Sequence, residues 1–144
     1  MSHQLYWNTV NPMLKAILKQ LMACEIFNSF RLVGGTSLSL QIGHRISVDI
    51  DLFTDSEYAS VDFAGIDTYL RNSFSYITDP VTDIIGMGKS YFVGKSEQEA
   101  VKLDLYYTDS FIQPVKMVDH IRMATIDEIV AMKMEVVQRF YCSR

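Results

Sequence analysis

The chain has 144 residues, 49% hydrophobic and 12% aromatic, enough for one domain with a substantial core. Its formal charge of −4 excludes a polybasic nucleic-acid binder, though a local basic groove stays compatible with it. No apolar run approaches the roughly 20 residues of a membrane span and no signal-peptide pattern opens the chain, so a cytoplasmic protein with no membrane partner is expected.

Residues 8–27 read as a helix. Leu14, Ile17, Leu18, Leu21 and Met22 recur at three- and four-residue spacing, Asn11-Pro12 marks a start, and Tyr6 and Trp7 can staple it. This is a packing element without chemistry. Cys24 and Cys142 stand far apart, without metal-type spacing, and read as reduced thiols.

Residues 30–33 form a short apolar strand that breaks at Gly34-Gly35. A helix follows from Thr36 to Ile42 and stops at Gly43. Glycines let the backbone approach a ligand, and the helix start offers free N–H groups at its positive dipole end. Thr36 and Ser37 suit the cap of that helix and can also bond a phosphate oxygen. His44 reads as a loop residue. Arg45 can either brace a neighbouring carboxylate or meet a triphosphate.

The run 46–53 alternates. Ile46, Val48, Ile50 and Leu52 share one parity, Ser47, Asp49 and Asp51 the other, so a strand here packs its apolar set and projects both carboxylates together. Two such carboxylates repel each other unless they are solvated or bridged by a cation, and oxygen donors of this kind suit magnesium or manganese.

Residues 61–70 read as a helix with Phe63, Ile66 and Leu70 on one side, Asp62 and Asp67 being solvated charge. Residues 74–85 read as a strand that Asp79-Pro80 disturbs, so that it belongs at an edge or bends there, followed by a turn at Gly86-Met87-Gly88 and a short strand at 90–93. In the strand 100–107, Val101, Leu103 and Leu105 oppose Lys102, Asp104 and Tyr106. If it lies beside 46–53 with its apolar parity on the same side, Asp104 joins Asp49 and Asp51. Pro114, Val115, Met117 and Val118 read as a connector. Thr125 and Glu128 form a capping-box pair before a last helix carrying Ile129, Met132 and Lys133.

The order Gly34-Gly35-Thr36-Ser37-Leu38, then Arg45-x-Ser47-x-Asp49-x-Asp51-Leu52, resembles the AbiEii/AbiGii-type nucleotidyltransferase toxins, a branch of the DNA polymerase beta-like nucleotidyltransferase superfamily. Ile126 to Lys133 resembles a second segment of that family, in which a helical lysine meets the nucleotide phosphates. The resemblance implies an α/β (α+β) fold, a small mixed sheet flanked by helices, forming a single nucleotidyltransferase domain over 1–144. It also implies Mg²⁺ or Mn²⁺ on Asp49, Asp51 and Asp104 as metal-holding and catalytic residues, with Lys133 beside them. The substrate NTP would then meet Gly34, Gly35, Thr36, Ser37, Arg45 and Ser47. It implies tRNA as acceptor and a cognate antitoxin as partner in a toxin–antitoxin (abortive infection) system. Relatives of this kind continue into a helical C-terminal region with a further acidic motif, and nothing in this chain matches that motif. The rival expectations are a nucleotide- or partner-binding domain without catalysis, and transfer to a protein or small-molecule hydroxyl.

Overall fold

The computed structural model describes residues 4–43, 46–80 and 87–142, with side chains as far as residue 134. In chain order it comprises α1 (Pro12–Ala23), β1 (Arg31–Val33), α2 (Gly34–Ile42), β2 (Asp49–Thr54), α3 (Phe63–Ser73), β3 (Tyr76–Ile77), β4 (Gly88–Ser96), β5 (Glu99–Tyr107), β6 (Lys116–Val118), β7 (Ile121–Met123) and α4 (Ile126–Cys142). The strands form one mixed sheet in the order β3-β4-β5-β2-β1-β7-β6, with β2–β5 and β1–β7 parallel and the other neighbours antiparallel. The expected α/β fold with a mixed sheet and flanking helices is what forms. No helix among the described residues is long and apolar enough to cross a membrane.

One face of the sheet is covered by α1 and α3. Leu14, Leu18 and Leu21 of α1 and Ile66 and Leu70 of α3 pack on Leu32, Ile50, Leu52, Leu103 and Leu105, all fully buried. Each such side chain contributes about 1.5–3 kcal/mol on burial. A one-residue slip of β2 would expose Ile50 and Leu52 and drive Asp49 and Asp51 into the core. That loss alone is comparable with the roughly 5–15 kcal/mol stability of a whole domain, so the register is enforced. The opposite face therefore carries the carboxylates. Over β1 it is partly closed by a second cluster of Val33, Leu38, Ala124 and Ile129, with Phe53, Phe111, Ile126 and Met132 packed against it.

Several boundaries differ from the expectations. The first helix covers only Pro12–Ala23, because Asn11 caps it with its side-chain oxygen and Pro12 takes the first position, where a missing N–H does no harm. The alternation over 46–53 overstates β2. Ile46 and Val48 are 77% and 62% exposed, and pairing begins only at Asp49. Asp62 and Asp67 are not merely solvated: Asp62 caps α3 through the Gly65 amide, and Asp67 accepts from Arg71 at 2.8 Å and from the Tyr91 hydroxyl at 2.9 Å. The disturbed run after Phe74 yields only Tyr76–Ile77, at the sheet edge as expected. His44, Arg45, Gly86 and the rest of 81–86 lie outside the described residues.

The expected connector before the last helix is instead the hairpin β6–β7, closed by Asp119 and His120 at φ 52° and 64°. Two successive left-handed residues make the turn that fits the twist of a two-residue hairpin. The capping box at α4 is half formed. Thr125 accepts from the Glu128 amide, but the Glu128 carboxylate is buried and takes the amides of Ile112 and Gln113 at 2.7 and 2.8 Å. The carboxylate thus serves two loop N–H groups at once, where the cap would use it for one.

Candidate active site

The site grows from β1 running directly into α2. Val33 is extended, Gly34 turns at φ 72°, and the helix is already formed at Gly34, two residues earlier than expected. The cap residue is Val33, with no side-chain hydrogen bond to the first turn. The proposed caps therefore do other work. Thr36, buried within the first turn, donates its hydroxyl to the Asp49 carbonyl, and Ser37, fully buried, accepts from the Gln41 amide at 3.0 Å. Thr36 thus ties α2 to β2, while Ser37 bonds within α2 to Gln41, which itself donates to the Ala124 carbonyl, so the anion-binding potential at this helix start rests on backbone N–H groups.

Gly34 is required here for two reasons. Its φ lies in the left-handed region, and a Cβ at this position would stand 2.5 Å from Asp51 Oδ2. The backbone thus lies directly against the carboxylate. Gly34→Ala is expected to lower stability by about 1–2 kcal/mol and to displace Asp51; urea unfolding measured beside a transfer assay checks both effects.

Parallel pairing sets Asp49 opposite Lys102, Asp51 opposite Asp104 and Phe53 opposite Tyr106. The expected convergence of Asp104 on the Asp49/Asp51 strand is present. Asp51 and Asp104 face each other across the pairing, and the Asp51 carboxyl is pushed up to about 7. Burial is the main cause, followed by the bond to Asp104, the charge of Asp104 and the charge of Asp49, while Lys102 opposes them. Asp104 also accepts from the Ser90 hydroxyl at 2.5 Å through Oδ1 and lies 3.7 Å from Lys102 Nζ through Oδ2. Ser90 and Lys102 were not singled out from sequence. A serine in a short apolar strand carries no signal until its cross-strand partner is known.

The other expected contacts divide. Lys133 lies with Val33, Gly34, Asp51, Phe53, Ile129 and Met132 around a mostly apolar cavity of about 530 Å³. Gly35 is half-buried in the first turn of α2, one residue from that cavity's Gly34. Ser47 is turned inward: its amide donates to the Thr9 carbonyl at 2.9 Å, and its hydroxyl lies 3.0 Å from that of Ser39.

Among the described residues no three acidic, histidine or cysteine side chains close around a single metal position. Asp51 and Asp104 meet; Asp49 stands one rung along the same face. The donor chemistry nevertheless fits a hard cation. Magnesium is held by one or two carboxylates, its other positions being filled by water and phosphate oxygens, and a cation would relieve the repulsion between the paired carboxylates.

The family model described as "Nucleotidyl transferase AbiEii toxin, Type IV TA system" matches residues 16–143. The fold resembles two crystal structures. One, of a candidate nucleotidyltransferase from H. pylori, has a TM-score of 0.58 and 22% identity, and the match covers 85% of this chain and 55% of that one. The other, JHP933 from Helicobacter pylori, has a TM-score of 0.56 and 22% identity, covering 90% and 56%. At that identity the likeness concerns the fold alone, and this chain spans a little over half the length of those proteins. No curated protein matches the chain.

Proposed function

Because the chain belongs to the nucleotidyl transferase AbiEii toxin family, we propose that it transfers a nucleotidyl group from an NTP to an acceptor hydroxyl. The observation that carries this reading is the Asp51–Asp104 pair set against the uncapped start of α2, with Lys133 across the same cavity. Carboxylates and phosphates repel each other, so a site that brings both together implies a cation between them. Asp51 and Asp104, with Asp49 beside them, would hold Mg²⁺ or Mn²⁺, which supplies Lewis-acid neutralisation of the phosphate charge when bound.

The chain's own groups divide the remaining work. The N–H groups at the start of α2, around Gly34 and Gly35, receive phosphate oxygens. Thr36 and Ser37 keep the helix in place rather than touching substrate. Lys133 adds a cation to the cavity lining, and Phe53, Ile129 and Met132 give that lining its apolar surface. The acceptor oxygen forms a bond to the α-phosphorus as the α–β bridging bond breaks. The acceptor proton passes to a carboxylate or water, and pyrophosphate leaves. From the family resemblance, tRNA is the acceptor we expect and a cognate antitoxin the partner.

A second reading is NTP binding without transfer. Incubation of the chain with Mg²⁺, a total RNA pool and NTPs radiolabelled at either the α- or γ-phosphate separates the two. Nucleotidyl transfer puts the α-label on RNA and leaves the γ-label in pyrophosphate. Tight NTP binding, with no α-label on RNA, protein or small molecule, would replace the enzyme by the binder.

A further inference from the structure

We infer that Ser90 and Tyr106 form a hydroxyl relay that positions the Asp104 carboxylate for catalysis. The relay rests on the transfer reading above and adds two positioning residues to it.

Ser90 lies on β4 directly opposite Asp104 on β5, and Tyr106 follows Asp104 by two residues, on the same face. The three side chains therefore adjoin by register alone. Ser90 is only 7% exposed; its Oγ lies 2.5 Å from Asp104 Oδ1 and 3.0 Å from the Tyr106 hydroxyl. Proton counting gives the direction. A serine hydroxyl has one proton, and here it goes to the carboxylate, so the tyrosine must donate to the serine. The chain runs Tyr106 to Ser90 to Asp104. A hydroxyl that already accepts one bond is a stronger donor for the next.

The other oxygen of Asp104 faces the Lys102 ammonium at 3.7 Å. With Oδ1 held from β4 and Oδ2 approached along β5, the carboxylate plane is fixed about its Cβ–Cγ bond. That matters because this torsion is otherwise broad, with no strong rotamer preference. A freely turning carboxylate would present its oxygens to Asp51 and to a cation only part of the time. The Tyr106 ring is itself held edge-on against Phe53, with ring centres 6.0 Å apart, so the start of the relay is anchored to β2. Outer groups of this kind typically tune the affinity of a metal site by about 10–100-fold.

The test compares Ser90→Ala, Ser90→Thr and Tyr106→Phe with the wild type. Mn²⁺ binding is read by electron paramagnetic resonance, and transfer is resolved into kcat and KM for NTP. Ser90→Ala should weaken Mn²⁺ binding about 10-fold or more and lower kcat. KM for NTP and the unfolding midpoint without metal should stay near the wild-type values, since the α2–Lys133 wall is untouched. Ser90→Thr keeps the hydroxyl and should restore binding. Tyr106→Phe keeps the ring contact, loses the donor and should fall between. Wild-type Mn²⁺ affinity and kcat in both Ser90→Ala and Tyr106→Phe would overturn the relay, as would failure of Ser90→Thr to restore a folded protein's binding. A wild type that neither binds Mn²⁺ nor transfers would remove the transfer reading itself, and the relay with it.

Discussion

Asp51→Asn should lower nucleotidyl transfer by about 10²–10³-fold while leaving the fold intact. The amide keeps the size of the carboxyl and can donate to the Asp104 carboxylate opposite it, so the pair keeps its packing. What disappears is the negative charge able to hold a cation against the phosphates. Charge stabilisation of this kind is worth several kcal/mol in the transition state, which converts to the stated factor. Asp104→Asn should be comparable, because Asp104 meets Asp51 directly. Asp49→Asn should cost less, since Asp49 is opposite Lys102 and influences Asp51 through its charge rather than through a bond. Asp55→Asn is the control, its exposed carboxylate being engaged with the Phe111 amide. Initial rates of α-label transfer, with near-ultraviolet circular dichroism to verify folding, decide the ranking. Equal rates for Asp51→Asn and the Asp55 control would refute the assignment of the carboxylate pair.

This pair was the part of the site most legible in the sequence, for a physical reason. Ile50 and Leu52 on one strand and Leu103 and Leu105 on another demand one buried face, and side-chain alternation then leaves Asp51 and Asp104 no choice of side. Gly43 was legible on similar grounds: it closes α2 at φ 69°, where a helix favours glycine. Parity failed where no partner strand enforces it. Ile46 and Val48 continue the apolar alternation, yet neither is paired, so they stay exposed while Ser47 turns inward to Ser39. Hydroxyls were misread because a helix cap is only one of the partners open to them. Thr36 and Ser37 sit where caps are common, but the Asp49 carbonyl and Gln41 claim them. The Asp119–His120 turn escaped because neither residue is glycine, the usual mark of a left-handed hairpin turn. Glu128 was placed in its helix cap, and only the tertiary position of the Ile112–Gln113 amides reveals its second use.

The same carboxylate pair should make the metal-free protein less stable as pH rises from about 4 to about 7. Asp51 is held at about 7 in the fold, against 3.8 for the unperturbed group. Between these values the folded chain keeps a proton that the unfolded chain has released, so raising the pH favours unfolding. Below about 4 both states are protonated and the contribution vanishes; above about 7 the loss is complete. The expected loss is on the order of 4 kcal/mol, since the displacement is about 3 pH units and each is worth about 1.4 kcal/mol. Asp67 acts with the opposite sign, because its bonds to Arg71 and Tyr91 hold it below the usual carboxylate range. Its contribution is lost only as pH falls below about 4, outside this window. Urea unfolding at pH 5 and pH 8 in the presence of a chelator measures the slope. Asp51→Asn should flatten it and be the more stable protein at pH 8, and added Mg²⁺ should offset the loss in the wild type alone. A wild-type slope that persists unchanged in Asp51→Asn would place the titrating group elsewhere. A site that destabilises its own fold when empty at neutral pH, and is relieved by a cation, is what a binding centre built from adjoining carboxylates requires.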